Sequence, residues 1–369
     1  MRSPSLKRLR AALRIREAPL LHLHVSDAVK TINSIIPHKL PLSLRNVPSM
    51  MTSEEKTLLY NLARYYFSDQ GCIIDAGIFL GASTTCFAEG LLKSGKPLTS
   101  RRKPIRSFEW GICDTFTATL LNSIYKTDNY SEGSNFCHLC ADNLSYIKNM
   151  VELSFGDITD TSKHFDEPIE ILFLDVCKTP TVNFNVTRNF FTKLIPGRSV
   201  IVHQDFFFEW LPWIHVTMGH LAPYVEFLGG VSNSAVYLLK EPIPQDLLDY
   251  DVWHETAASD ALSLFEKSIP EGLSDGETYM LSLAKSYAIG LLIGFDEAIQ
   301  YLVTLRSPGP AFNDLPFLPS TVVKMLDNLA GFLDNPHPPF GRPRAMKPEL
   351  TPQTVEWLRR RDEYGVSPV

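Results

Sequence analysis

Four acids stand where apolar runs end. Glu109 closes Ile105–Phe108, Asp157 follows Val151–Phe155 and Gly156, Asp175 closes Ile169–Leu174, and Asp205 follows Ser199–Val202 and His203-Gln204. A carboxylate rarely stands at the rim of a buried sheet without a partner. At such an edge it can accept hydrogen bonds from hydroxyls, face an ammonium, take up a proton or ligate a hard cation. A fifth acid, Asp75, precedes Gly77 and Gly81 in the stretch GCIIDAGIFLGASTTCFAEG of residues 71–90. There a short apolar run gives way to a helical pattern.

The two glycines lack a Cβ, so they permit unusual dihedrals and the close approach of a ligand. Ser83 or Thr84 is placed to cap the following helix, and the free N–H groups of a helix start favour an anionic group. An ordinary tight turn accounts for two glycines equally well. The spacing is Gly-x-x-x-Gly, not the Gly-x-Gly-x-x-Gly of nicotinamide and flavin sites, which argues against a nicotinamide-dependent oxidoreductase.

The elements that must carry these residues alternate. Thr52 and Glu55 have capping-box spacing, and Leu58, Leu59, Leu62, Ala63 and Tyr66 follow at helical intervals. Cys72–Ile74, Ile105–Phe108, Val151–Phe155, Ile169–Leu174, Ser199–Val202 and Val231–Leu239 are strand candidates. Helical patterns lie over Ser83–Leu92, over Leu144–Met150 and around Phe190, Phe191 and Leu194. Buried strands alternating with helices predict an α/β, Rossmann-like, mostly parallel sheet with helices on both faces. After Pro242 and Pro244 the strand signals stop. The expected organisation is a basic N-terminal extension over 1–50, the sheet domain over 51–245, and a helical C-terminal region with a Pro-rich tail over 246–369.

The chain has 369 residues, 44% hydrophobic and 21% charged, with a net charge of -6. That composition is globular, and the charge disfavours nucleic acid as a partner. No apolar run approaches the ~18 residues of a transmembrane segment. Six cysteines in so long a chain do not form a disulfide framework, so the expected setting is cytoplasmic. Arg2, Lys7, Arg8, Arg10, Arg14 and Arg16 all precede the first acid, Glu17. This start suits an organelle transit peptide, a membrane-surface helix or a plain basic extension.

At this point two segments resemble a known family. Asp75-Ala-Gly77-Ile-Phe-Leu-Gly81-Ala-Ser83-Thr84 resembles the first motif of class I S-adenosylmethionine-dependent methyltransferases. Leu194-Ile-Pro196-Gly197 through Gln204-Asp205-Phe206 resembles the L-x-P-G-G … D-D-Y segment of the macrocin-type sugar O-methyltransferases, and Ile171–Asp175 matches the strand before it. The resemblance spans roughly residues 50–242. It implies that Gly77 and Gly81 let the loop pack against the methionine part of S-adenosylmethionine, that Ser83 belongs to the cofactor-binding set, that Asp75 faces the ammonium, that Glu109 accepts from the ribose diol, and that Asp157 lies near the adenine. It also implies that Asp175 and Asp205 serve catalysis and bind Mg²⁺.

One position departs from the family. Its adjacent Asp-Asp is Gln204-Asp205 here, so Gln204 would have to join Asp175 and Asp205 as a metal ligand through its amide oxygen. His203 is an alternative general base, or a packed residue of the strand. Lys178 and Thr179 either orient a substrate or belong to the loop. The expected activity is O-methylation of a small hydroxylated acceptor, such as a sugar or glycoside. The alternative is a methyltransferase-like protein that binds a ligand or partner without catalysis. A homo-oligomer is compatible with the C-terminal helices.

Two further stretches have competing readings. Residues 206–218, FFFEWLPWIHVTM, could wall an acceptor site with Trp210 or Trp213, or form core. Cys137-His138-Leu139-Cys140 is a lone CxxC, a poor zinc site without a second pair.

Overall fold

In a computed structural model, the described residues are 40–41, 44, 47–95 and 103–305. The Arg-rich start and the Pro-rich tail lie outside them. Helix α1 (Ser53–Asn61) begins at Thr52 with the expected capping box and runs into a π-helical turn over Leu62–Tyr66. Strand β1 (Cys72–Ala76) follows, buried at every position, and then α2 (Ala82–Ser94).

Next come β2 (Ile105–Glu109), α3 (Thr115–Tyr125), α4 (Cys137–Asn143), β3 (Val151–Phe155), α5 (Ile158–Thr161), β4 (Ile169–Leu174), α6 (Pro180–Phe191), β5 (Val200–His203) and α7 (Pro212–His220). A hairpin of β6 (Val225–Val231) and β7 (Ser234–Leu239) completes the sheet. The C-terminal helices are α8 (Gln245–Asp249), α9 (Val252–Glu255), α10 (Ala258–Ser268), α11 (Asp275–Leu292) and α12 (Phe295–Leu305).

The strand order is β3-β2-β1-β4-β5-β7-β6. β1 to β5 pair in parallel, and β7 runs antiparallel to both β5 and β6. This is the expected mostly parallel Rossmann-like sheet. Its central strands read as continuous apolar runs because both faces are covered. β1 and β4 supply Ile74, Ala76, Leu172 and Leu174 to one core, and Ile73, Ile171 and Phe173 to the other. Alternate residues point to opposite faces, so one strand feeds both layers.

Two expectations needed correction. The single late strand over 231–239 is a hairpin, turning at Ser232 with φ 53. The helical pattern over Leu144–Met150 reduces to a 3₁₀ turn, Ser145–Ile147, behind α4. Of the two readings of the aromatic stretch after Asp205, core is the one that holds: Phe206, Phe207 and Trp213 are at most 2% exposed and Trp210 is buried. Trp213 Nε1 donates to the Cys177 carbonyl at 2.8 Å, and Trp210 packs edge-on against Tyr287 of α11. These rings join the sheet to α10 and α11 in one continuous core.

Candidate functional site

The backbone ladder continues past the strand ends and draws the carboxyl edges together. Gly77 N donates to Phe108 O, Asp175 N to Ala76 O, Gln204 N to Leu174 O and Gly156 N to Glu109 O. The acids read from the sequence thus share one edge of the sheet, where an open parallel sheet binds its ligands. A cleft of about 280 Å³ lies here, lined by Gly77, Ile78, Phe79, Ala82, Ser83 and Asp175, with Pro48–Met51 from the segment before α1.

The glycine turn is held by packing as well as by dihedral need. Gly77 has φ 89, and a Cβ there would lie 2.8 Å from the Asp175 carbonyl carbon. Gly81 has φ 92 and itself caps α2, with no side-chain cap bond. Ser83 and Thr84 therefore do not cap the helix. Their hydroxyls turn inward to Asp75 Oδ2, at 2.9 and 2.5 Å.

Asp75 is fully buried, and its Oδ1 has no hydrogen-bond partner. Burial pushes its carboxyl up from 3.8 to about 7, against the two hydroxyl bonds that favour the anion. A buried carboxylate oxygen left unbonded beneath the glycine turn suits a cationic ligand group, as an ammonium is.

Glu109 spans two loops. Its Oε2 accepts from Phe79 N at 2.7 Å and its Oε1 from Gly111 N at 3.0 Å. Burial raises its pKa, and these backbone donors oppose the rise. The backbone of Ile78 and Trp110 also favours the anion here, so Glu109 faces a ring of main-chain donors at the end of β2. Asp157, by contrast, caps α5, its Oδ1 accepting from Thr159 N at 2.8 Å. Both thiols of the CxxC turn are free. Cys140 Sγ donates to the Phe79 carbonyl at 2.6 Å, which gives the pair a packing role beside the glycine loop.

At the other end of the cleft, Lys178 Nζ donates to Asp175 Oδ1 at 2.7 Å and also to Asp205 Oδ2. Neither spacing nor composition pointed to this bridge. Burial pushes Asp175 up to about 7, with Lys178 pulling it down and Asp205 pushing it up. The two acids raise the Lys178 pKa against the opposing effect of burial. Thr179, the residue after it, caps α6 by accepting from Val182 N. His203 is 1% exposed, and burial lowers its imidazole to about 4. It is neutral at neutral pH but enclosed in the end of β5.

The Mg²⁺ ligand set that the resemblance implies does not match this geometry. Gln204 is buried, and its Oε1 lies 3.2 Å from Ser234 Oγ, which also donates to Glu55 Oε1 at 2.9 Å. An ammonium already fills the space that Asp175 and Asp205 share. Among the described residues, no three His, Cys, Asp or Glu side chains group as metal ligands. The residues present do not fit Mg²⁺.

No protein-family model matches the chain, and no curated protein matches it. Among solved structures it is similar to the calicheamicin methyltransferase CalS11, with 17% identity over 58% of this chain and 91% of that one, TM-score 0.35. It is similar to the O-methyltransferase NovP, with 11% identity over 59% and 98%, TM-score 0.39. A third is the SAH-bound methyltransferase PaMTH1 of Podospora anserina, with 11% identity over 65% and 98%, TM-score 0.34. These neighbours are methyltransferases, the class whose first motif residues 75–84 resemble. At such low similarity the fold rests on the strand order and pairing, not on these likenesses.

Proposed function

We infer that the chain is an S-adenosylmethionine-dependent O-methyltransferase acting on a small hydroxylated acceptor, a sugar or glycoside being the class to try first. The observation that carries this reading is Asp75 Oδ1, buried and unbonded beneath a positive-φ glycine turn, with Glu109 one strand away on the same edge. Asp75 would take the ammonium of the cofactor, Gly77 and Gly81 the close approach of its methionine part, and Glu109 its ribose. When bound, the cofactor supplies a sulfonium methyl: the acceptor oxygen bonds that carbon as the carbon–sulfur bond breaks, and the electron pair stays on sulfur.

The chain's own work is then positioning and proton removal. Asp175, held near 7 at the mouth of β4, is the residue to accept the acceptor hydroxyl proton, with Asp205 fixed opposite it by Lys178. The test is transfer of a labelled methyl group from S-adenosylmethionine to a panel of sugars and glycosides, with Asp175→Asn as the silent control. Labelled product from the wild type alone supports the reading. Tight cofactor binding with no transfer to any hydroxyl acceptor would favour a binding protein on the same fold.

A further inference from the structure

Two carboxylates and one ammonium meet where strands β4 and β5 end. Lys178 bonds both Asp175 and Asp205, while its side chain stays 45% exposed. Asp205 reaches it from a left-handed backbone, φ 60. Asp tolerates that conformation better than most residues, and such strain persists only where the surroundings hold it. Behind the acids, Gln204 is tied toward Ser234 and Glu55. The neighbourhood is thus closed by hydrogen bonds from three elements: α1, β7 and the loop after β4.

We propose that Lys178 is the fixed cation of this site, standing between Asp175 and Asp205 where a divalent ion would otherwise stand, and that its remaining N–H holds the acceptor oxygen in a transfer that needs no metal. The inference rests on the methyltransferase reading. An ammonium carries three N–H donors, and the two carboxylates use two of them. The third is left for an acceptor, and the 45% exposure of the side chain lets one approach from solvent. The hydroxyl proton passes to Asp175, and Lys178, paired with both carboxylates, serves as donor only. Exchanging Asp for Gln204 removes one negative charge, which matches a monovalent ammonium better than a divalent ion.

The test uses the full chain, stripped with a chelator and titrated with Mn²⁺ by calorimetry and electron paramagnetic resonance. Wild type, Lys178→Met and Lys178→Arg are compared, with thermal melts to confirm folding and S-adenosylhomocysteine titrations on each. The wild type and the arginine variant are expected to show no one-to-one Mn²⁺ site. Lys178→Met, with both carboxylates released, is expected to bind Mn²⁺ at least about tenfold more tightly than wild type, a gap of ~1.4 kcal/mol. Stoichiometric, tight Mn²⁺ binding to the wild type would overturn the proposal. A folded methionine variant with no gain would overturn it as well. Should that variant not fold, a Mn²⁺ site in Lys178→Arg overturns the proposal and its exclusion of Mn²⁺ supports it. Failure of every folded protein to bind S-adenosylhomocysteine would instead remove the transfer reaction, leaving the manganese result to decide the cation.

Discussion

Gly77 lies against the backbone of Asp175, so close that a Cβ at position 77 would collide with the carbonyl of this first residue after β4. One contact therefore couples the turn after β1 to the acid expected to take a proton. It explains the glycine without any ligand, and it sets the glycine turn beside Asp175.

Gly77→Ala should therefore disturb both. The residue has φ 89, which costs an L-residue roughly 1–2 kcal/mol before any clash is counted. Chemical denaturation should show a loss at or above that size. S-adenosylhomocysteine affinity should fall with it, because the turn cannot keep its path. An alanine variant of wild-type stability would mean that the turn is looser than described.

Asp75 predicts an unusual pH dependence of stability. Its carboxyl titrates near 7 in the folded chain and near 3.8 ordinarily. Between those values the folded state binds more protons than the unfolded state, so this group's contribution falls as pH rises. The cost of ionising it is on the order of 4 kcal/mol by the shift alone. Asp75→Asn should flatten that slope across about pH 4 to 7 in urea titrations. It should also weaken S-adenosylhomocysteine binding, since the amide carries no charge for the ammonium. A slope unchanged in the variant would place the titration elsewhere.

Asp175 predicts the pH dependence of turnover. A base must be unprotonated, and burial keeps this carboxyl near 7. With an acceptor in hand, kcat/KM should rise as pH passes upward through about 7 and level above it. Asp175→Asn should lower kcat by the ~10²–10⁴-fold typical of a lost general base, with S-adenosylhomocysteine affinity nearly kept. Equal loss of both would make Asp175 a structural residue.

Glu109→Gln keeps the shape but removes the charge that accepts from Phe79 N and Gly111 N. The amide offers one acceptor oxygen where two are used, leaving one buried donor unbonded at a cost of about 1–3 kcal/mol. Both stability and S-adenosylhomocysteine affinity should drop. Adenosine and methionine tested separately should show the loss with adenosine, which carries the ribose, and not with methionine.

Much of this was legible in the sequence because it is local. The parallel strands announced themselves as apolar runs, and each acid at a strand end stayed at the sheet edge. The Thr52–Glu55 capping box formed as its spacing required. What was not legible depends on contacts between distant segments. Glu55 read only as a capping residue, yet its second oxygen accepts from Ser234, far along the chain. Lys178 read either as a substrate-orienting residue or as a loop residue, because nothing in its neighbours shows that Asp205 will turn back toward it. β6 escaped notice because Gly229-Gly230 interrupt its pattern and a bulge shifts its register. The aromatic run after Asp205 was ambiguous because its partners, α10 and α11, come much later.

The most direct test of the central claim is calorimetric titration of the full chain with S-adenosylhomocysteine, beside NADH, in wild type and Gly81→Arg. Gly81 already packs against the Leu144 side chain, 2.9 Å from where a Cβ would stand, so arginine must block the turn. The account predicts micromolar binding of S-adenosylhomocysteine alone, lost in a variant that still folds. No binding by the wild type, or binding that survives Gly81→Arg, would contradict it.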